Sequence, residues 1–170
     1  MEILDDYIIE EELSEKEADW QLFIGKEFEY YRSIWRKIEA GEKIQFNIYA
    51  FFFWVGWAGY RKMYKVYFSL ILLKQLSEYA PYFLNFPSPA VSAIGVLFFL
   101  VYLVWGFYAN LIYYNHATKK IAQIKSAGLS KVLEEKSIRD AGQVDITFPL
   151  GAGFFLFILL TFLNGFLGII

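Results

Sequence analysis

The sequence contains no cysteine and a single histidine, His116, among 170 residues. Disulfides, thiol nucleophiles and thiolate metal sites are therefore excluded, and one histidine leaves a metal ion only carboxylates to bind. Neither the dinucleotide fingerprint nor the phosphate-loop pattern occurs. No two glycines stand four apart, so the glycine motif of helix dimers is missing as well. The serines Ser69, Ser88, Ser92, Ser126 and Ser130 lack a glycine-elbow context, so no hydrolase triad can be assembled around them. Lysine and arginine are absent from Gln75 to Ala117. Residues 1–19, with nine acidic groups and one lysine, make a poor nucleic-acid binder, because phosphate contacts need clustered lysine and arginine.

What is present is apolar and aromatic. Hydrophobic residues make up 57% of the chain and aromatic residues 21%, against 20% charged. A soluble domain is typically about 45–50% apolar with about 25% charged residues. The excess falls in blocks, which is the pattern of a polytopic membrane protein with polar segments between its spans. The net charge of −2 hides a strong asymmetry, because nine acidic residues and one lysine lie within residues 1–19. That is not the basic, then apolar, start of a signal peptide.

In chain order, residues 1–13 form an acidic arm interrupted by Ile3, Leu4, Tyr7, Ile8 and Ile9. It is either a solvated tail or a docking segment. Ser14-Glu15-Lys16-Glu17 fits a capping box. Trp20, Phe23, Ile24, Phe28, Tyr31, Ile34, Trp35 and Ile38 then recur at three- and four-residue steps, predicting a cytoplasmic amphipathic helix within residues 14–46 that stops at Gly41. Packing on the protein's own membrane part or on a partner suits this stripe better than lying on lipid, because Glu27, Glu29 and Glu39 occupy its polar face.

Residues 47–114 are the membrane region. Its first part, 47–60, is uncharged but gives only about 21 Å of helix against the roughly 30 Å of a hydrocarbon core. A continuous helix through it would carry Arg61, Lys62 and Lys65 to mid-membrane, at about 2.5–3.5 kcal/mol each. Residues 47–60 are therefore expected to be a re-entrant or interfacial half-helix bent at Gly56 and Gly59. Spans follow at 63–80 and 91–113, separated by a proline-rich loop over 81–90. Residues 115–147 form a cytoplasmic helical segment broken at Gly128, and 148–170 a third span. Basic residues cluster at 16–43, 61–65 and 119–139, so these segments and the N-terminus face the cytoplasm and the C-terminus the far side.

Candidate functional residues are few. Arg61 and Lys62, between Tyr60 and Tyr64, could clamp a lipid phosphate or a partner's carboxylate, or simply anchor the topology. Asn110 and His116 stand near the end of the second span. His116 is read as an interfacial hydrogen-bonding residue in preference to a catalytic or metal-binding one. No catalytic, cofactor-binding or metal site is expected.

Phe23-Ile24-Gly25-Lys26, Tyr30-Tyr31, Trp35, Phe46-Asn47, Ala50-Phe51-Phe52, Trp57 and Tyr60-Arg61-Lys62-Met63-Tyr64, in that order, resemble the domain-of-unknown-function family 2628 of small bacterial inner-membrane proteins. Asn110, Tyr114 and His116, followed by Lys120 and Ile121, resemble the segment that follows a span in that family. The resemblance covers roughly residues 23–142. Ile48 departs from an expected tryptophan, and Arg-Asp-Ala-Gly at 139–142 matches only loosely a glycine-rich stretch. The resemblance implies a membrane topology and no known activity.

The expected fold is an all-α integral membrane protein with three transmembrane helices, the half-helix and the N-terminal amphipathic helix. The expected role is a non-enzymatic accessory or scaffold subunit of an inner-membrane complex, with the lipid bilayer and other membrane subunits as partners. The alternative is a small transporter, channel or lipid-binding protein that uses the bent half-helix with Arg61 and Lys62.

Overall fold

Ser14 opens the first helix, its hydroxyl accepting from the Glu17 amide across 3.3 Å. The reciprocal half of the capping box is not made, because the Glu17 carboxylate turns to Arg32 and Arg36 instead. The computed structural model describes residues 13–167 and is all-α. The acidic arm, apart from Leu13, lies outside the described residues, as do the last three residues of the chain.

The expected amphipathic helix is two helices. α1 (Glu15–Ile24) ends at Gly25, whose φ of 70° suits glycine, and a single 3-10 turn through Glu27 leads into α2 (Phe28–Glu39). The stripe survives the break: Trp20, Phe23, Ile24, Phe28, Tyr31, Trp35 and Ile38 are all buried. α2 stops at Gly41, where the amides of Gly41 and Glu42 bond back to the carbonyls of Ile38 and Lys37. This is the Schellman closure that a left-handed glycine permits.

Asn47 caps α3 (Ile48–Tyr60), its side chain accepting from the Ala50 amide. The expected bend at Gly56 and Gly59 is not where α3 breaks. The backbone leaves the helical region at Trp54, with φ 41° and ψ −118°. Two side chains of a later helix meet the carbonyls one turn earlier: Trp105 Nε1 donates to Ala50 O and the Tyr102 hydroxyl to Phe51 O. These contacts satisfy backbone groups that a break would strand. Gly59 instead permits close packing, since a Cβ there would lie 3.0 Å from the Tyr67 ring and 3.1 Å from Pro149.

Two short turns carry the chain onward. α4 (Tyr64–Phe83) starts immediately after Lys62 and Met63, and α5 (Ser88–Lys125) follows after Leu84 to Pro87. Both turns are Schellman closures built on non-glycine residues in the left-handed region, Lys62 (φ 54°) and Asn85 (φ 51°). The expected loop over 81–90 is therefore only 84–87. Pro89 sits in the first turn of α5, where a missing amide is tolerated, whereas Pro81, inside the last turn of α4, lacks the amide that would bond the Ser77 carbonyl.

α5 also runs on past the expected end of its span to Lys125. α6 (Lys131–Gly142) follows the Gly128 turn, and α7 (Thr147–Leu167) closes the described chain. α1 packs along α6, and α1, α2 and α3 all pack on α5. One core results, joining Trp20, Phe23, Tyr31 and Trp35 to Trp57, Tyr113, Ala117 and Ile138. Aromatic edges meet faces throughout, as between Trp35 and Tyr113 at 5.4 Å and Trp57 and Tyr113 at 5.8 Å.

Two helical segments are long and apolar enough to cross a membrane, α5 and the stretch Lys131–Phe166 that contains α7. The most apolar stretch of the latter is not covered by the rest of the chain. Of the three spans expected, these account for two. α4 has the length but carries Lys65, Lys74 and Glu78.

Candidate functional site

The site is built around Arg61, which caps the C-terminal end of α3 and is turned into the protein, only 3% exposed. Its Nη2 donates to the Glu27 carboxylate and, across 3.1 Å, to the Tyr31 hydroxyl. Three tyrosine rings enclose the guanidinium, with centroids 4.8 Å (Tyr31), 5.1 Å (Tyr113) and 5.4 Å (Tyr60) from Cζ. Nε and Nη1 make no hydrogen bond among the described residues, so ring faces take the place of acceptors there. Arginine suits this role because a planar, weakly hydrated cation stacks where an ammonium would not. Burial pushes the Tyr31 phenol well above its usual range, which keeps it neutral as both acceptor and stacking partner.

Glu27 reaches Arg61 because the 3-10 turn at Gly25 reorients the chain between α1 and α2. Its carboxylate also sits at the N-terminal end of α2, where the helix dipole favours a negative charge. The pair thus ties the N-terminal helices to the end of α3.

Two hollows flank this pair, and Lys26, Glu27, Tyr60 and Arg61 line both. One, of about 690 Å³, lies against α1 and the end of α6, with Arg139 and Gln143 on its wall. The other, of about 810 Å³, runs between α2, α3 and the start of α7. Its lining includes the charged Lys26 and Glu29 and the apolar Phe53, Trp57 and Leu150.

The residues singled out in the sequence do not form one cluster. Tyr60 and Arg61 share the walls of both hollows. Lys62 points elsewhere, donating to Asp140 O across 2.9 Å at the C-terminal end of α6. Tyr64 packs its ring on Phe148 at 4.4 Å and, with Asp145 at 3.4 Å, helps hold the entry to α7.

Asn110 is buried beneath the start of α3. It accepts from Asn47 Nδ2 across 2.7 Å and donates to Gln45 O across 3.2 Å. His116 is half-buried with its ring 6.4 Å from Phe23.

Sequence reasoning passed over Glu27, Tyr113 and Asn47 as site residues. Glu27 does lie on the polar face, its side chain 47% exposed, and nothing in the helical period signals that its carboxylate reaches Arg61. Asn47 carried a signal, since an asparagine before an apolar run is an N-cap. Among the described residues no group of His, Asp and Glu could hold a metal ion.

The architecture is therefore that of an all-α chain with two helices able to cross a membrane, joined to a helical cap by a shared aromatic core. The chain belongs to the family described as "Protein of unknown function (DUF2628)", whose model matches residues 12–119. Compared with the resemblance read over 23–142, the match begins earlier and ends within α5. No curated protein and no solved structure matches the chain.

Proposed function

We propose that this chain is a non-enzymatic accessory or scaffold subunit of a larger inner-membrane protein complex. The observation that carries the reading is α7: an apolar helix of 21 residues whose most apolar stretch has no residue buried within the chain. It meets the rest of the protein chiefly through its first turns, at Phe148 and Ala152, and through the Tyr79 hydroxyl, which donates to Asn164 across 2.6 Å. Phe154, Phe155, Phe157 and Phe162 face outward, each about two-thirds exposed or more. Aromatic side chains supply a large contact area, which suits a protein–protein interface.

In this reading α4 is the third span. Twenty residues give about 30 Å, enough for a hydrocarbon core. Lys74 pairs with Glu78 one turn on, across 2.6 Å, and the pairing reduces the charge α4 presents to lipid. Basic residues at 16–43, 61–65 and 119–139 then face the cytoplasm, and the turn at 84–87 the far side.

A photo-crosslinking residue at Phe154 or Phe162, used in native membranes, tests the partner. A discrete adduct with another protein is expected, and adducts with lipid alone would sink the reading. Because the chain is cysteine-free, single cysteines at 85 and 128 test the topology. Labelling from outside is expected for the first and from the cytoplasm for the second.

A further inference from the structure

The hollow between α2, α3 and the start of α7 is lined by both charged and apolar side chains. Its charged lining is balanced, with two cations and two carboxylates. Arg61 and Glu27 are already paired, whereas Lys26 and Glu29 are exposed and have no ion-pair partner among the described residues. Apolar wall is supplied by Phe53 on α3 and Leu150 on α7, 68% and 67% exposed. At Gly56 the wall is bare backbone, and a Cβ would meet nothing within 4 Å. A volume of about 810 Å³ is within the range of sites that hold small amphiphiles.

We propose that this hollow binds a zwitterionic phospholipid bearing a primary ammonium, taken from the leaflet α3 enters. The phosphate lies at Lys26 and the Arg61 edge, the ammonium at Glu29 and Glu27, and an acyl chain over Gly56 between Phe53 and Leu150. The headgroup matches the site in both signs of charge. An anionic headgroup would satisfy Lys26 but leave Glu29 unpaired beside a second negative charge, and discrimination of this kind rests on the repulsive element as much as the attractive one. Gly56 has a role here that the bend at Trp54 removes from it: it leaves room for the chain to pass.

The full-length protein, purified in mild detergent, is exchanged against phosphatidylethanolamine and phosphatidylglycerol of matched acyl chains, and retained lipid is read by native mass spectrometry. Retention of phosphatidylethanolamine at least five-fold above phosphatidylglycerol is expected (a ratio that corresponds to about 1 kcal/mol). Glu29→Lys, on an exposed position, should reverse the preference. Gly56→Leu should abolish retention while leaving the thermal midpoint within about 2 °C of the parent. Equal retention of the two lipids, or retention unaffected by Gly56→Leu, identifies the bound lipid as an exchangeable annular shell and overturns the proposal. These readouts are independent of crosslinks from the outer face of α7, so either idea can fail alone.

Discussion

Asn47 and Asn110, 63 positions apart in sequence, share a hydrogen bond of 2.7 Å with both side chains buried. Asn47 also accepts from the Ala50 amide, and its own amide donates to the Gly106 carbonyl across 2.8 Å. Together with the bonds from Trp105 and Tyr102 to the Ala50 and Phe51 carbonyls, these contacts fix the start of α3 to α5.

Replacing Asn110 by leucine should therefore cost about 1–3 kcal/mol, the penalty for stranding the Asn47 amide and the Gln45 carbonyl in a dry site. Thermal unfolding in detergent measures it. A double-mutant cycle with Asn47→Ala should give a coupling of about 0.5–3 kcal/mol, and additive losses would refute the linkage.

α6 approaches α1 closely enough that only glycine fits at 142: a Cβ there would stand 1.8 Å from the Phe23 carbonyl oxygen. Backbone cannot yield as a flexible side chain can. Gly142→Ala should loosen α6 and raise proteolytic cleavage within 126–142 at least several-fold. Gly151→Ala, where a Cβ meets nothing within 4 Å, should leave the digest unchanged.

Lys62 holds a left-handed conformation that costs an L-residue about 1–2 kcal/mol. Lys62→Gly and Lys62→Ala lose the same hydrogen bond to Asp140, so comparing the two isolates the backbone term. The glycine variant should be the more stable by about 1 kcal/mol, and equal stabilities would show that the turn is not strained at this position.

Glu17 lies on the α1–α2 contact, and the guanidinium groups of Arg36 and then Arg32 hold its carboxyl at about 2 instead of an ordinary 4.5. A depressed acid contributes stability above its unfolded pKa and loses it as pH falls toward the folded one. Stability should thus decline between pH 4.5 and about 2, and Glu17→Gln should flatten that limb while lowering stability at pH 7. An unchanged acid limb in Glu17→Gln would assign the decline to other carboxylates.

The parts that were legible in the sequence are those with a period or a cap. The stripe from Trp20 to Ile38 gave its buried face, Ser14 its helix start and Gly41 its helix stop, because each signal is local. The break at Trp54 had no such signal. Every residue from Ile48 to Tyr60 is uncharged, so no polar face fixes a period, and the donors that accommodate the break, Tyr102 and Trp105, lie about fifty residues away.

Arg61 was read as a headgroup anchor because charge beside an apolar run ordinarily faces water. The tyrosines that hold it inward come from three separate segments, α2, α3 and α5. Such convergence is invisible to a reading along the chain.

The shared core also sets a timetable for synthesis. Trp20, Trp35 and Ile38 leave the ribosome long before Tyr113 and Ile138, the residues that bury them. At about 5–20 residues per second, the hundred positions between Ile38 and Ile138 take roughly 5–20 s. During that interval the N-terminal helices can pack on each other but lack the surfaces of α5 and α6 that complete their core. A holding chaperone, or the membrane surface itself, would shield them, and ribosomes stalled before residue 113 should carry a nascent chain that proteases cut readily between residues 20 and 39.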